Sequence, residues 1–223
     1  MARGFRVFPA LALVLGIAVG PGALAGADGM AAGERVGNVA RGEALFDLCA
    51  QCHGAQGQGN ADIEAPAIAG LPLWYVENTV RKFKAGGRGT HPEDYAGMRM
   101  RPMSMSLRRD EDITHVATYV AQLPPVKSEP LLSGGDATRG AALYAPCIAC
   151  HMPDGSGNPA LQAPPIKHAS DWYLLAQLKK FKGGIRGMNP MDPTGALMVG
   201  MVQLLADEQA MKDVIAHIMT LTD

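Results

Sequence analysis

The 223-residue sequence has few aromatic residues, only 5%, and only four cysteines. It has no excess of charge of either sign, because the formal net charge is −1, and this gives no reason to expect binding to nucleic acid. No segment alternates polar and apolar residues as a half-buried β-strand does. Hydrophobic residues make up 48% of the chain and charged residues 18%, which excludes intrinsic disorder and permits a buried core. These features favour a helical globular protein.

The only long hydrophobic run lies at the N-terminus. Two positive residues, Arg3 and Arg6, precede an apolar segment from Val7 to Val19, and Ala23-Leu24-Ala25 has the small-x-small pattern of a cleavage site. The alternative is an uncleaved anchor, but the run is shorter than the ~20 residues that cross a bilayer. We expect residues 1–25 to be a signal peptide, cleaved after Ala25. The mature protein would then be periplasmic and would not span the membrane.

The rest of the sequence is an internal duplication. Residues 38–125 pair with residues 136–223 at an offset of 98, with 29 identities in 88 positions and no insertion or deletion. We therefore expect one domain over 26–123, a linker over 124–135 that its prolines and glycines keep extended, and a second domain over 136–223.

Each copy shows three helical stretches. The first follows the capping residues Asn38 and Asp136 and runs into the cysteines. The second follows Leu73 and Asp171, and the third lies near the end of each copy. We predict two small all-α domains with long loops, whose thin cores need something else to fill their centres.

All four cysteines occur in two C-x-x-C-H motifs, the attachment pattern of c-type haem. Two thiols at this spacing add to the two vinyl groups of one porphyrin, and the following imidazole reaches the iron. The expected attachment residues are Cys49, Cys52 and His53 in the first copy and Cys147, Cys150 and His151 in the second. The cofactors would be two covalently bound haem c groups, with His53 and His151 as iron ligands.

Other readings of the cysteines explain less. A zinc site would bring the two pairs closer in sequence than 98 residues, and a thioredoxin-like pair expects a βαβ setting. A structural disulfide suits an exported protein. Neither a disulfide nor a redox pair explains the histidine in both copies.

The coordination position on the far face of each iron is either occupied by a second axial ligand or left open. Methionine occurs in both copies at two pairs of equivalent positions, Met100/Met198 and Met103/Met201. A thioether raises the reduction potential, as suits a carrier. A bis-histidine iron is the alternative, and the remaining histidines are His91, His115, His168 and His217. The carbonyls of Pro66 and Pro164 either accept the proton of the ligand imidazole or belong to prolines that only shape the loop.

The sequence over about 36–223 resembles the class I c-type cytochromes, specifically two-domain dihaem cytochromes of the c4 type. The resemblance rests on both C-x-x-C-H motifs and on repeated aromatic and basic positions, Trp74-Tyr75, Phe83-Lys84…Gly86…Arg88, Trp172-Tyr173 and Phe181-Lys182…Gly184…Arg186. It implies two tandem cytochrome c-like domains, each a few helices around a covalent haem. It also implies that the first methionine of a loop binds iron, which selects Met100 and Met198. From Leu107 and Leu205 to the closing helix, both copies are one residue longer than the family pattern. Met103 and Met201 are therefore kept as alternative iron ligands.

The resemblance implies an electron carrier rather than an enzyme, with no catalytic residues. It would pass single electrons between respiratory redox proteins, for which a membrane oxidase or a dehydrogenase are candidates. The alternatives are a dihaem redox enzyme of the peroxidase or thiosulfate-oxidising type, and a bound electron-transfer subunit of an oxidase or dehydrogenase complex. Matching methionines in both copies argue against the enzyme.

Charge around the methionines differs between the copies. The first carries four arginines where the second has mainly apolar residues: Arg99, Arg101, Arg108 and Arg109 correspond to Leu197, Val199, Ala206 and Asp207. Such a cluster can steer an acidic partner, or it can be a solvated face that pairs locally with Asp110, Glu111 and Asp112.

Overall fold

The computed structural model describes residues 36–221, together with residues 1, 2 and 4. The predicted signal peptide, residues 1–25, therefore lies almost entirely outside the described residues. The chain divides into two units, Met1–Gly33 and Glu34–Asp223, and every described helix belongs to the second. None of these helices is both long and apolar enough to cross a membrane.

The first half of this unit folds into α1 (Val39–His53), α2 (Leu73–Ala85), α3 (Tyr95–Ser106) and α4 (Asp110–Gln122). A 3₁₀ turn at Ala61–Ile63 lies between α1 and α2. As predicted, Asn38 caps α1, and its side chain accepts a hydrogen bond from the backbone N–H of Arg41.

The second half repeats this order with one break. Its helices are α5 (Ala137–Tyr144), α6 (Ile148–His151), α7 (Asp171–Lys182), α8 (Pro193–Val202) and α9 (Glu208–Ile218), with 3₁₀ turns at Ala145–Cys147 and Pro159–Leu161. The single helix α1 corresponds to α5 and α6 together. Pro146 stands where the first half has Leu48, and a proline inside a helix removes a backbone donor.

Across residues 36–221 the structure contains no β-strand, only two isolated bridges, Asn60–Ala65 and Asn158–Ala163. The bridges occupy equivalent positions in the two halves and close the loop after each histidine. The predicted all-α fold of two tandem domains is confirmed.

The three helical stretches predicted in each half are present, but each half has a further helix that was not predicted. The methionines expected on loops lie on helices, Met100 on α3 and Met198 on α8. Pro102 inside α3 and the glycines of both segments hide the apolar periodicity that would indicate a helix. The N-cap residues of these helices could have indicated where they begin. The side chains of Asp94 and Asp192 accept hydrogen bonds from the N–H groups of Gly97 and Gly195.

Each half has its own hydrophobic core. In the first half α1 packs on α4, and in the second α5 packs on α9. The buried core residues are Phe46, Val76, Leu107, Ile113, Val116, Ala117 and Val120 in one cluster and Tyr144, Leu175, Phe181, Val202, Leu205, Met211, Val214, Ile215 and Ile218 in the other. Because neither cluster takes residues from the other half, each half buries apolar surface as a separate domain does.

The segment predicted to be the linker, residues 124–135, contains no helix. It is held against the second half by the buried carboxylate of Asp171, which accepts from the N–H groups of Leu131 at 2.8 Å and Leu132 at 2.7 Å. The hydroxyl groups of Ser128 and Ser170 are 2.8 Å apart. These bonds restrain the linker against α7.

Candidate functional site

The two cysteine motifs lie at the ends of helical segments. Cys49 and Cys52 both lie on the last turn of α1, three residues apart and so on one face, and His53 is its last residue. In the second half Cys147 ends a 3₁₀ turn, while Cys150 and His151 belong to α6. The broken helix thus still delivers two thiols followed by an imidazole.

All four thiols are free rather than joined in disulfides. Burial raises the pKa of the Cys49 thiol to about 11 and also raises the pKa of Cys147. A thioredoxin-like redox pair needs a thiol pKa lowered toward neutrality, so these values argue against that reading. Among the described residues no group of three or more histidine, cysteine or acidic side chains could hold a zinc ion.

Each motif histidine is buried and fixed by a backbone carbonyl. Nδ1 of His53 lies 2.8 Å from the carbonyl oxygen of Pro66, and Nδ1 of His151 lies 2.9 Å from that of Pro164. A carbonyl only accepts, so Nδ1 carries the proton and the lone pair of Nε2 is left for a metal. Of the two readings of these prolines, the structure supports the carbonyl as acceptor.

The environment also keeps these imidazoles neutral. Burial lowers the pKa of both His53 and His151, although the hydrogen bond to the proline carbonyl acts in the opposite direction. A neutral imidazole is the form that binds iron.

The loop after each histidine folds back on it and requires glycine. The N–H of Gly59 donates to the carbonyl of His53 at 2.7 Å, and Gly157 does the same for His151 at 3.0 Å. Gly59 has a φ of +83°, and a Cβ there would stand 2.5 Å from the backbone nitrogen of Ala67. The repeated Gly-x-Gly sequence is therefore a turn beside the histidine.

The methionine candidates differ in packing. Met100 and Met103 are both half-buried on α3. In the second half Met198 is half-buried against the hydrophobic core, whereas Met201 is 36% exposed. Packing therefore favours Met198 over Met201 and leaves Met100 and Met103 equal.

Three of the other histidines have partners outside the cysteine motifs. Nδ1 of His115 accepts from the N–H of Asn38 at 2.9 Å, and Nδ1 of His91 accepts from the N–H of Glu93 at 3.2 Å. The ring of His217 packs on Tyr144 with centroids 5.3 Å apart. Each of these contacts fits a structural role for the residue.

Sequence reasoning missed the role of two arginines whose Nε atoms are buried. Arg88 lies over the ring of Phe83 at 4.3 Å and Arg186 over that of Phe181 at 4.4 Å, and among the described residues neither Nε atom has a hydrogen-bond partner. Residues 87–92 and 184–189 line a cavity of about 280 Å³ beside them. The repeated F-K-x-G-x-R sequence was the available signal.

These residues fit two haem c groups. Each half offers two thiols three residues apart, a neutral imidazole with a free Nε2, methionines on a further helix and an arginine whose buried Nε lacks a hydrogen-bond partner among the described residues. The carboxylates of haem propionates are the kind of acceptor that such a guanidinium binds.

Comparison with known proteins agrees with this chemistry. The model of the cytochrome c family matches residues 39–124 and 137–222. A thiosulfate dehydrogenase electron acceptor of Thiomonas intermedia (strain K12) is 33% identical over 153 residues, covering 64% of this chain and 66% of the relative. Cytochrome c4 of Azotobacter vinelandii is 30% identical over 159 residues, covering 67% of this chain and 75% of the relative. This chain thus spans about two thirds of the length of the first of these curated relatives.

The fold agrees with a solved structure as well. Reduced recombinant cytochrome c4 from Pseudomonas stutzeri superposes with a TM-score of 0.67 at 23% identity, covering 84% of this chain and 100% of that one.

Proposed function

Because this chain belongs to the cytochrome c family, we propose that it is an electron carrier that passes single electrons between respiratory redox partners in the periplasm. It is a dihaem electron-transfer cytochrome with two covalently bound haem c groups, similar to cytochrome c4. The observation that carries the proposal is the repetition of one site, since both halves present the same buried histidine–carbonyl pair. An enzyme of the peroxidase or thiosulfate-oxidising type needs one iron that differs from its twin.

We propose that Cys49, Cys52, Cys147 and Cys150 attach the haems and that His53 and His151 bind the irons. Met100 and Met198 are the proposed ligands on the far face. The proposed domains keep the boundaries 26–123, 124–135 and 136–223.

When bound, haem supplies reversible one-electron chemistry. The residues of this chain orient it and set its surroundings. The proline carbonyls hold each imidazole in the tautomer that presents Nε2, and the buried cores keep water away from one side of the site. Arg88 and Arg186 line one cavity formed by both halves, and their positive charge would stabilise the carboxylates of bound haem groups there.

The partners of the chain are redox proteins. A relative is named as the electron acceptor of thiosulfate dehydrogenase, which supports a dehydrogenase as electron donor for this chain. A second candidate is a bound subunit of a dehydrogenase or oxidase complex. Exposed apolar residues on the second half, with Leu197 at 66% and Leu204 at 59%, support that reading.

We propose that the protein is periplasmic and is cleaved after Ala25. N-terminal sequencing of the exported protein should begin at Gly26, and a retained leader would contradict the proposal.

The test of the axial ligands is the substitution of each methionine by histidine. Met100→His and Met198→His should each remove about half of the near-infrared sulfur-to-iron band of the oxidised protein, and each should lower the potential of one haem, because imidazole stabilises ferric iron better than a thioether does. Magnetic circular dichroism during a redox titration measures both effects.

Met103→His and Met201→His are the matched controls and should leave the band intact. If they remove it instead, the ligands are Met103 and Met201. If no methionine substitution changes the band, the proposed carrier with two methionine-ligated irons is wrong.

A further inference from the structure

Within residues 36–221, two ion pairs join the halves, and the internal repeat relates one to the other. Nζ of Lys82 lies 2.6 Å from Oδ1 of Asp192, and Nζ of Lys180 lies 2.6 Å from Oδ1 of Asp94. Lys82 and Lys180 are equivalent positions, as are Asp94 and Asp192. Each half therefore gives the other the same lysine and receives it at the same aspartate, as in a two-fold symmetric interface.

Both pairs are shielded from water. Asp94 is 6% exposed and Asp192 is 0% exposed, while the lysine side chains are 18% and 21% exposed. Unlike a surface ion pair, a buried carboxylate that loses its partner is left with an uncompensated charge. The conformation around each aspartate therefore depends on a lysine from the other half.

Each of these aspartates also caps the helix that carries the methionines. Oδ1 of Asp94 accepts from the N–H of Gly97 at 3.1 Å at the start of α3, and Oδ1 of Asp192 accepts from the N–H of Gly195 at 3.1 Å at the start of α8. One carboxylate oxygen thus serves the helix and the lysine of the other half together.

The opposite end of each methionine helix is held from within its own half. Nζ of Lys84 donates to the carbonyl of Leu107 at 2.8 Å just after α3, and Lys182 donates to the carbonyl of Leu205 after α8. Each helix is therefore fixed at its C-terminal end by its own half and at its N-terminal end by the other half.

We propose that Lys82 and Lys180 are positioning residues that act across the interface. Lys180, in the second half, holds the helix that carries the axial methionine of the first haem, and Lys82 holds that of the second haem. This inference rests on the proposed ligation by methionine, but either methionine of each helix satisfies it. A thioether is a weak ligand, so a helix that loosens at its capped end weakens the sulfur–iron bond.

The experiment separates the two haems by removing one band at a time. In oxidised holoprotein carrying Met198→His, the remaining near-infrared band belongs to the first haem. Adding Lys180→Gln should lower the temperature at which that band disappears, whereas adding Lys82→Gln should leave it unchanged. In the Met100→His background the two lysines should exchange roles. Lys180→Arg keeps the charge and should restore the band.

A local effect would overturn the inference. One such result is that Lys82→Gln, but not Lys180→Gln, lowers the temperature at which the band of the first haem disappears. Another is that either substitution lowers this temperature equally for the bands of both haems. Lys84→Gln is the control for an effect within one half and should weaken the band of the first haem.

Two further outcomes are distinguishable. If Met198→His leaves the band intact, the ligand assignment fails, and Met201→His on the same helix provides the background for the same test. If Lys180→Gln does not yield folded holoprotein, the double variant Lys180→Gln/Asp94→Asn removes the unpaired buried charge while asparagine keeps the cap. The same crossed result is expected from it.

Discussion

At the scale of single residues, the two halves use different side chains to accept the same hydrogen bond. The N–H at the start of the first helix donates to Nδ1 of His115 in the first half and to Oδ1 of Asp213 in the second. These acceptors occupy equivalent positions on the closing helices α4 and α9. Asp213 is a carboxylate, and it also accepts from Arg139 at 3.0 Å and 3.1 Å.

The charge of Asp213 makes the second half sensitive to acid. The hydrogen bonds from Arg139 and from the N–H of Asp136 lower the pKa of Asp213 from 3.8 to about 2. Because the pKa is depressed in the folded state, the stabilisation is present above pH 3.8 and is lost as the pH falls toward 2.

We therefore expect Asp213→Asn to lower the midpoint of thermal unfolding at pH 7 and to have little effect near pH 2. Thermal melts of both proteins across this range measure the difference. Asp47→Asn, an exposed position on α1, is the control and should change the midpoint little at either pH. A difference between wild type and Asp213→Asn that did not change with pH would contradict the assignment.

At the scale of helices, a glycine permits the closest packing in each half. A Cβ on Gly42 would lie 2.1 Å from the carbonyl oxygen of His115, and one on Gly140 would lie 1.9 Å from that of Asp213. Both contacts are with backbone atoms, which cannot rotate away as a flexible side chain can. The repeated Arg-Gly pair at 41–42 and 139–140 is thus a helix-crossing signal, and the first helix packs on the last because of it.

The same substitution should have opposite effects at two helical glycines. Gly140→Ala should destabilise the second half by about 1–3 kcal/mol or more, because the methyl group forces α5 away from α9. Gly200→Ala on α8 meets no atom within 4 Å and should stabilise the protein by about 0.5–1 kcal/mol. Denaturant unfolding of both variants measures these changes, and a tolerated Gly140→Ala would show that the helices can separate without cost.

At the scale of the whole molecule, the two halves differ in surface charge although their sites match. Part of the arginine cluster on the first half is already paired, since Arg99 lies 3.2 Å from Glu64 and Arg109 lies 2.9 Å from Asp112. The first half therefore presents a weaker positive field than four arginines suggest. The equivalent surface of the second half carries exposed leucines.

We expect the first half to dock an acidic redox partner through Arg101 and Arg108. Stopped-flow reduction by the natural partner should slow as ionic strength rises, and Arg101→Gln/Arg108→Gln should slow it at low salt. The matched control is Arg99→Gln/Arg109→Gln, which removes paired arginines and should have a smaller effect. A rate that responds neither to salt nor to these changes would make the cluster an ordinary surface feature.

Much of the fold and of the candidate site can be predicted from the sequence. The duplication, the two C-x-x-C-H motifs and the helix caps at Asn38 and Asp136 are readable because they depend on residues close together in the chain. Covalent attachment requires a fixed spacing, and capping requires a side chain next to the first turn. The helices α3 and α8 were missed because proline and glycine obscure their apolar period.

The contacts between the two halves were decided only by the tertiary structure. The lysine–aspartate pairs join residues 110 and 86 positions apart in the chain. The Nε atoms of Arg88 and Arg186, which have no partner within the described part of the chain, are defined by what packs around them. The packing of Met198 against the core and the exposure of Met201 likewise depend on neighbours that are distant in sequence. Spacing along one chain determines what a segment can form, but burial and pairing depend on which segments meet.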